Sequence, residues 1–263
     1  MTRKPKILVT NDDGVTAPGL EALAAALQEW GDVKILAPDR NWSASGHVKT
    51  MHRPLRVREV VLENGMDALA SDGAPSDCVA LAMLGLIPDL DLVVSGINPN
   101  ANLGHDVTYS GTVTAAMEAV IWGIPGLAVS LDSPDNHLGQ LDYLPAAGLA
   151  SRVARIMLRE GVPDDIVLNL NVPCIPEEEI TGLQITRQGL RVYRDQLVSR
   201  EDPRGKPYYW IGGEPPTGVP DQGTDFGALR SNAASLTPIH LDLTAREFLD
   251  QMESYRSAID KTI

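Results

Sequence analysis

The stretch that decides the fold is KILVTNDDGVTAPG, residues 6–19. It begins with an apolar, β-branched run at residues 7–10, which has the composition of a buried strand. The run breaks at Asn11-Asp12-Asp13-Gly14, and Pro18-Gly19 then opens a helical pattern. Two adjacent carboxylates therefore stand where a buried strand ends, at the edge where open α/β sheets bind their ligands.

Asp12 and Asp13 repel each other when both are charged, and this repulsion has three possible outcomes. One carboxyl holds a proton, both share a cation, or both point into water. A solvated Asn-Asp-Asp-Gly turn is common, so the tetrapeptide alone does not decide between a turn and a metal site. The choice between a turn and a metal site depends on which residues occupy the loops after the neighbouring strands.

Length, charge and cysteine content narrow the class of protein. The 263 residues are 43% hydrophobic, enough for one large α/β domain or two small ones. We expect neither a membrane span nor a secretory signal, and Cys78 and Cys174 suit a reducing cytoplasm. The net charge of -13 argues against binding of polymeric nucleic acid, although a bound divalent cation can reverse the local sign for a small phosphorylated substrate.

Strands and helices alternate up to about residue 173, which predicts a doubly wound α/β domain with a mainly parallel sheet. An Asn64-Gly65 turn between the extended runs 55–62 and 66–70 predicts a β-hairpin at the rim of this sheet. The other predicted strands span residues 33–38, 89–95, 124–131 and 165–172, and the predicted helices span residues 20–30, 73–86, 110–119 and 143–160.

The composition changes beyond Gly182. Short strands are predicted at residues 184–187 and 208–211, with a segment rich in Pro, Gly and Asp after them. We expect a loop-rich extended arm at about residues 189–229, followed by a strand and a closing helix. The chain is therefore divided into an α/β domain carrying the site, residues 1–181, and a part that completes the domain and supplies an oligomer contact, residues 182–263.

The first candidate site is a metal site made of oxygen ligands. Asp12 and Asp13 offer carboxylates, while Ser43 and Asn98 offer neutral oxygens from the loops after two other strands. Such a set suits one divalent metal, Mg, Mn or Ca, that could polarise a phosphoryl oxygen. The alternative is that Ser43 is an ordinary loop hydroxyl and Asn98 an ordinary turn former.

The second candidate site is an anion site at Ser110-Gly111-Thr112, where a helix begins after a long Asn-rich loop. Free backbone N–H groups at a helix start favour a phosphate, although Ser110 could equally be a simple N-cap. His105, in the same loop, could protonate a leaving group or could simply be solvated. The sequence has no P-loop, no dinucleotide glycine motif and no GxSxG elbow.

The chain resembles the SurE family, the stationary-phase survival proteins, through motifs that follow one another along nearly its whole length. These motifs are ILVTNDDG, APDRNWSASG, GAPSDCV, VVSGIN, NLGHDV, YSGTVTAAMEA, LNLNVP and SLTPIHLDLT. The family implies a Rossmann-like domain, dimers or tetramers formed through an exchanged C-terminal arm, and metal-dependent hydrolysis of nucleoside 5′- and 3′-monophosphates. Two departures, Trp42 before the loop serine and Pro99-Asn100-Ala101 after SGIN, bear on substrate preference.

The resemblance also implies roles for individual residues. The metal ligands fall on Asp12, Asp13, Ser43 and Asn98, and either acid could also handle the attacking water. The substrate-binding positions fall on Asn11, Gly46, Asn98, Ser110, Gly111 and Thr112. The leading hypothesis is a nucleotide phosphomonoesterase, for which the sequence leaves open whether polyphosphate is also cut. The alternative hypotheses are a non-hydrolytic nucleotide- or phosphate-binding module and an oligomeric scaffold with a solvated turn.

Overall fold

A computed structural model describes residues 3–134, 137–260 and 262. The strands are β1 (Lys6–Thr10), β2 (Asp32–Pro38), β3 (Val57–Val61), β4 (Asp67–Ser71), β5 (Leu92–Asn98), β6 (Gly126–Asp132), β7 (Ile166–Pro173), β8 (Leu183–Ile185), β9 (Arg191–Glu201), β10 (Pro207–Gly218) and β11 (Ala234–His240). The helices are α1 (Pro18–Gln28), α2 (Pro75–Leu81), α3 (Gly111–Ile121), α4 (Leu144–Glu160), α5 (Asp225–Arg230) and α6 (Leu249–Asp260). A π-helical turn, Ala82–Leu86, extends α2, and 3-10 turns lie at Gly104–Thr108, Glu177–Glu179 and Arg246–Phe248.

The main sheet has the strand order β3-β4-β2-β1-β5-β6-β7-β11-β8. Strands β4, β2, β1, β5, β6 and β7 are parallel, in the order of a Rossmann fold. The order reverses between β1 and β5, so the crevice beyond the ends of these strands is the expected ligand site. The predicted doubly wound sheet is confirmed, and the predicted hairpin β3-β4 lies at its edge.

The sheet is buried on both faces because alternate side chains of β1 enter different cores. Ile7 and Val9 join a cluster with apolar residues of α1 and α4, whereas Leu8 joins a cluster with residues of α2 and α3. Leu20, Leu23 and Leu27 of α1 are fully buried, as their helical spacing predicts. This packing fixes the position of the first turn beyond β1.

Two glycines allow helices to lie unusually close to the sheet. A Cβ atom at Gly19 would be 2.2 Å from the carbonyl oxygen of Ile97, and one at Gly126 would be 2.1 Å from that of Ala116. Helix α1 therefore rests on the end of β5, and helix α3 rests on β6. The first of these contacts holds the beginning of α1 near the crevice between β1 and β5.

The prediction that the arm at residues 189–229 is rich in loops was wrong, whereas the strand predicted at residues 208–211 lies within β10. Strands β9 and β10 form a long antiparallel ribbon with a register irregularity between Glu214 and Thr217, and α5 follows it. Because the ribbon packs little of its surface against the main sheet, it does not need the alternation of apolar residues that marks a half-buried strand. The boundary near residue 181 stays a prediction, since β8 and β11 of the later part pair within the main sheet.

Within the described residues, no helix is long and apolar enough to cross a membrane.

Candidate active site

The turn after β1 is shaped by Asn11. This side chain is fully buried, donates to the carbonyl oxygen of Gly14 at 2.9 Å and accepts from the N–H of Gly14 at 3.2 Å. Gly14 has a φ of 109°, which only glycine adopts without strain. Asn11 therefore closes the turn on itself and presents the two following carboxylates at the end of the strand.

Asp12 is held against the beginning of helix α3. Its side chain is buried, and its Oδ1 accepts a hydrogen bond from the hydroxyl of Thr112. Gly111 makes room for it, because a Cβ atom there would be 2.7 Å from the Cβ of Asp12. Burial raises the pKa of Asp12, while hydrogen bonds from the hydroxyl of Thr112 and from the backbone at Gly111 and Thr112 act in the opposite direction. The acidic turn and the predicted anion site are thus in direct contact.

Asp13 is the residue of the site whose surroundings point most directly to a bound ligand. Burial, together with the adjacent charge of Asp12, raises the pKa of Asp13 from 3.8 to about 7. Its Oδ2 is buried, and no hydrogen-bond partner for it exists among the described residues. A buried carboxylate oxygen without a partner is costly unless a ligand satisfies it. A divalent cation with oxygen ligands fits this position.

The segment after β2 folds over this turn. The N–H of Trp42 donates to the carbonyl oxygen of Asp12 at 2.7 Å, and the N–H of Gly46 donates to that of Tyr109 at 2.9 Å. Ser43 is exposed, and its N–H donates to the side chain of Asn41 at 2.7 Å. The predicted candidates Ser43 and Gly46 therefore lie on a segment that is bonded to the acidic turn at Trp42 and to Tyr109, just before α3, at Gly46.

Asn98 ends β5, the strand that pairs with β1 on the side away from β2. Its side-chain amide donates to the carbonyl oxygen of Asn100, so the amide is turned toward its own loop. The backbone of the same loop is anchored by Asn102, whose N–H donates to Asn171 and whose amide donates to Ser130, both at 2.8 Å. The structure places Asn98 at the predicted edge of the sheet, with its amide bonded to Asn100 and not to the acidic pair.

His105 was predicted as a site residue but lies apart from the acids, whereas Tyr143 was not predicted and lies near them. His105 is exposed on the turn Gly104–Thr108, without a described contact to either acid. Tyr143, at the start of α4, was missed by the sequence reading; its ring lies 3.1 Å from where a Cβ atom of Gly19 would be. Burial and the charge of Asp13 raise the pKa of Tyr143 to about 12, so its phenol stays protonated beside the acidic pair.

The metal hypothesis depends on mixed ligands. In the part of the chain that the structure describes, no three His, Cys, Asp or Glu side chains form a group that could hold a metal. The two carboxylates therefore need the neutral oxygens of Ser43 and Asn98 to complete a ligand set. Whether these four residues bind a metal stays a prediction.

A comparison with protein families shows which family the chain belongs to. The family described as "Survival protein SurE" matches residues 7–195, well over half of the chain. The chain belongs to the SurE family. The resemblance inferred from the motifs is therefore confirmed.

Similar proteins and structures extend the match over nearly the whole chain. A "5'-nucleotidase SurE" of Chloroflexus aggregans is 50% identical over 250 residues, covering 95% of this chain and 98% of that protein. One of Herpetosiphon aurantiacus is 51% identical, covering 94% and 97%. The crystal structure of a SurE protein from Aquifex aeolicus is 38% identical, covers 96% of this chain and 100% of its own, and superposes with a TM-score of 0.81.

The raised pKa of Asp13 predicts how this SurE-family protein responds to pH without metal. The folded carboxyl binds its proton more tightly than the unfolded one, so stability falls as the pH rises from about 4 to about 7. Asp13→Asn should raise the stability of chelator-treated protein at pH 8 by about 1–2 kcal/mol, less than the full shift because the group is partly solvated. Thermal unfolding in chelator at pH 5.5 and 8 measures this; a gain that is larger at pH 5.5 would contradict it.

Proposed function

We propose that this protein is a metal-dependent phosphomonoesterase that releases phosphate from nucleoside 5′- and 3′-monophosphates. The observation that carries the proposal is the contact between a buried acidic pair and the beginning of helix α3. Cation ligands and anion-binding N–H groups are thereby adjacent, which is what hydrolysis of a phosphate ester requires. The relatives named 5′-nucleotidase, half identical over nearly the whole chain, support the same activity.

Asp12, Asp13, Ser43 and Asn98 are the residues that would hold one divalent cation, Mg, Mn or Ca. When bound, such a cation polarises a phosphoryl oxygen and offsets the charge of the phosphate. The neutral oxygens matter because two carboxylates only balance the charge of a divalent cation, so the ligand set adds no net negative charge that would repel a dianionic substrate. The overall charge of -13 therefore does not exclude a phosphorylated substrate.

The chain's own groups bind the phosphate and move the protons. The beginning of helix α3, at Ser110, Gly111 and Thr112, binds the remaining phosphate oxygens, and the backbone N–H groups of Gly111 and Thr112 that now bond to Asp12 are the donors it offers. The Asp13 carboxylate, whose Oδ2 has no hydrogen-bond partner among the described residues, accepts a proton from the attacking water. Asn11 holds the turn in place, and the backbone of Gly46 faces the substrate from the opposite loop.

His105 is an accessory candidate for protonating the leaving oxygen. It is exposed on the same loop that leads to Ser110, so closure of that loop over a substrate would be needed to bring it into reach. A His105→Ala variant with normal turnover removes it from the mechanism.

The alternative, a nucleotide- or phosphate-binding module without turnover, places the same residues around a bound phosphate. Orphaned polar atoms around the acidic turn, such as Trp42 Nε1 and Ser45 Oγ, suit binding as well as catalysis. The names of the relatives favour turnover. A single assay separates the two proposals.

The assay measures phosphate release from a panel of nucleoside 5′- and 3′-monophosphates and inorganic polyphosphate, with Mn²⁺, Mg²⁺ or Ca²⁺ and with chelator. We expect release from the monophosphates with metal, and loss of at least about 100-fold with chelator, because the cation supplies several kcal/mol of transition-state stabilisation. Binding without release would favour the alternative, and equal rates with chelator would refute metal dependence.

Assembly and location complete the proposal. The ribbon of β9 and β10 exposes Leu197, Trp210 and Ile211, which supports a homodimer or homotetramer built through the arm. Cys78 and Cys174 are free thiols, which supports action in the reducing cytoplasm. Neither a membrane nor a polymeric nucleic acid is needed for the reaction.

A further inference from the structure

Helix α3 carries a stripe of side chains with polar atoms, spaced four residues apart: Ser110, Thr114, Glu118 and Trp122. Residues with this spacing lie on one face of a helix. Ser110 is the N-cap and accepts from the N–H of Val113 at 3.1 Å. The stripe therefore leads from the proposed phosphate site along the helix, away from the reacting atoms.

Glu118, two turns along this stripe, is a buried acid without a role in the proposed reaction. Its side chain is 5% exposed, and its carboxylate is satisfied from three directions. His47 Nε2 lies 2.9 Å away, Lys49 Nζ lies 3.3 Å away, and Trp122 Nε1 donates at 2.8 Å. Burial alone would raise the pKa of Glu118, but these bonds outweigh it and hold the pKa at about 2, so the acid stays charged.

Two of these three partners belong to the segment that carries Ser43, residues 42–49, here called the Ser43 segment. The same segment meets the stripe again where the Thr114 hydroxyl lies 3.1 Å from the carbonyl oxygen of Gly46, which shares this donor with the carbonyl oxygen of Ser110 at 2.8 Å. At its start, Trp42 is bonded to Asp12, as described above. The segment is thus attached to the site at one end and to the stripe along the rest of its length.

Ser43 depends on these attachments. It is exposed, and its backbone N–H donates to the side chain of Asn41, the residue just before the segment. The position of its hydroxyl relative to the acidic pair is therefore set by the two attached ends of the segment. A buried charge that is bonded by exposed loop side chains gives a strong attachment, because charge-assisted hydrogen bonds are about twice as strong as neutral ones.

We propose that Glu118 is a positioning residue, which holds the Ser43 segment against helix α3 and so sets the position of the Ser43 hydroxyl relative to the acidic pair. This inference rests on the proposed role of Ser43 as a metal ligand. Glu118 itself touches neither substrate nor metal. Partners that orient metal ligands in this way typically contribute 10- to 100-fold to metal affinity or activity.

The test removes the loop side of the attachment, because Glu118→Ala on the buried side could unfold the helix. In a His47→Ala/Lys49→Ala variant, both substituted side chains come from the Ser43 segment, and the helix keeps its hydrogen bond from Trp122. Amide hydrogen exchange of residues 42–49 should accelerate at least about tenfold, and Mn²⁺ affinity without substrate should fall about 10- to 100-fold. Exchange is followed by mass spectrometry and affinity by electron paramagnetic resonance of Mn²⁺.

Turnover provides a second readout for the His47→Ala/Lys49→Ala variant. At saturating Mn²⁺, the fold decrease in kcat should be larger than the fold increase in KM. Glu118→Gln, which keeps an oxygen for Trp122 but loses the charge facing Lys49, should give an intermediate loss of Mn²⁺ affinity. The matched control is Arg152→Ala/Glu177→Ala, which removes an exposed pair 3.5 Å apart on α4 and the chain after β7. It should leave exchange, affinity and turnover unchanged.

Unchanged exchange in the Ser43 segment of the double variant would overturn the proposal, and so would faster exchange with unchanged Mn²⁺ affinity. Both measurements are made without substrate. They therefore decide the role of Glu118 even if the wild-type protein binds Mn²⁺ but releases no phosphate, a result that would refute the proposed function alone.

Discussion

Asp12→Ala, or Asp13→Asn, should abolish divalent-dependent phosphate release from nucleoside monophosphates. Each change removes a carboxylate from the buried pair, and with it charge that both the cation and the attacking water require. A loss of about 10³-fold or more in kcat is expected, on the scale of removing a preorganised electrostatic group from an active site. The measurement is initial phosphate release at saturating Mn²⁺, with folding checked by circular dichroism.

The chain supplies a matched control for this experiment. Asp164 and Asp165 form a second adjacent acidic pair, exposed at the opposite end of the sheet, just before β7. Asp164→Asn changes the charge by the same amount as Asp13→Asn and should leave turnover within twofold, as expected for an exposed residue remote from the crevice. Near-normal turnover in the Asp12 and Asp13 variants would refute the mechanism, whatever the metal.

Gly111→Ala should reduce kcat/KM about 100-fold while leaving the protein folded. The added methyl would lie 2.7 Å from the Cβ of Asp12 and 3.0 Å from its Oδ2. The turn and the beginning of α3 must then separate, and a misplacement of about 1 Å in a reacting group costs about that factor in rate. Phosphate release across a range of substrate concentrations measures the effect.

Gly148→Ala is the control for the same chemical change. Gly148 lies inside α4, where the nearest atom to an added Cβ is the end of a flexible Arg152 side chain at 3.9 Å. Alanine is the better helix former by about 1 kcal/mol, so this variant should be slightly more stable and fully active. If Gly111→Ala behaved in the same way, the close contact between Asp12 and α3 would not matter for catalysis.

The fold was predictable from the sequence where its elements are buried. Continuous apolar runs gave the parallel strands, and the spacing of Leu20, Leu23 and Leu27 gave the face of α1. The ribbon was not predictable in the same way. Tyr209, Trp210 and Ile211 of β10 are exposed in a single chain, so its apolar residues do not alternate with a buried face.

The location of the candidate site was also predictable, because the carboxyl ends of parallel strands meet at one edge. The sequence does not determine which way a side chain turns at that edge. Asn98 ends the right strand, yet its amide bonds to Asn100. The contact between Glu118 and His47 was not predictable for a different reason. The two residues are 71 positions apart in the sequence, and only the completed sheet brings them together.

The bond between Thr112 and Asp12 joins residues 100 positions apart. The turn follows β1 and helix α3 comes after β5, so the pairing of β1 with β5 brings the two residues to one place. Such non-local pairing is slow, so a partly folded chain has no complete site for a cation. A divalent ion at 100 times its dissociation constant would therefore stabilise the fully folded state alone, by about 2.7 kcal/mol. The cation would thus bind only molecules that have finished folding. It would slow their global unfolding without assisting the early steps of folding.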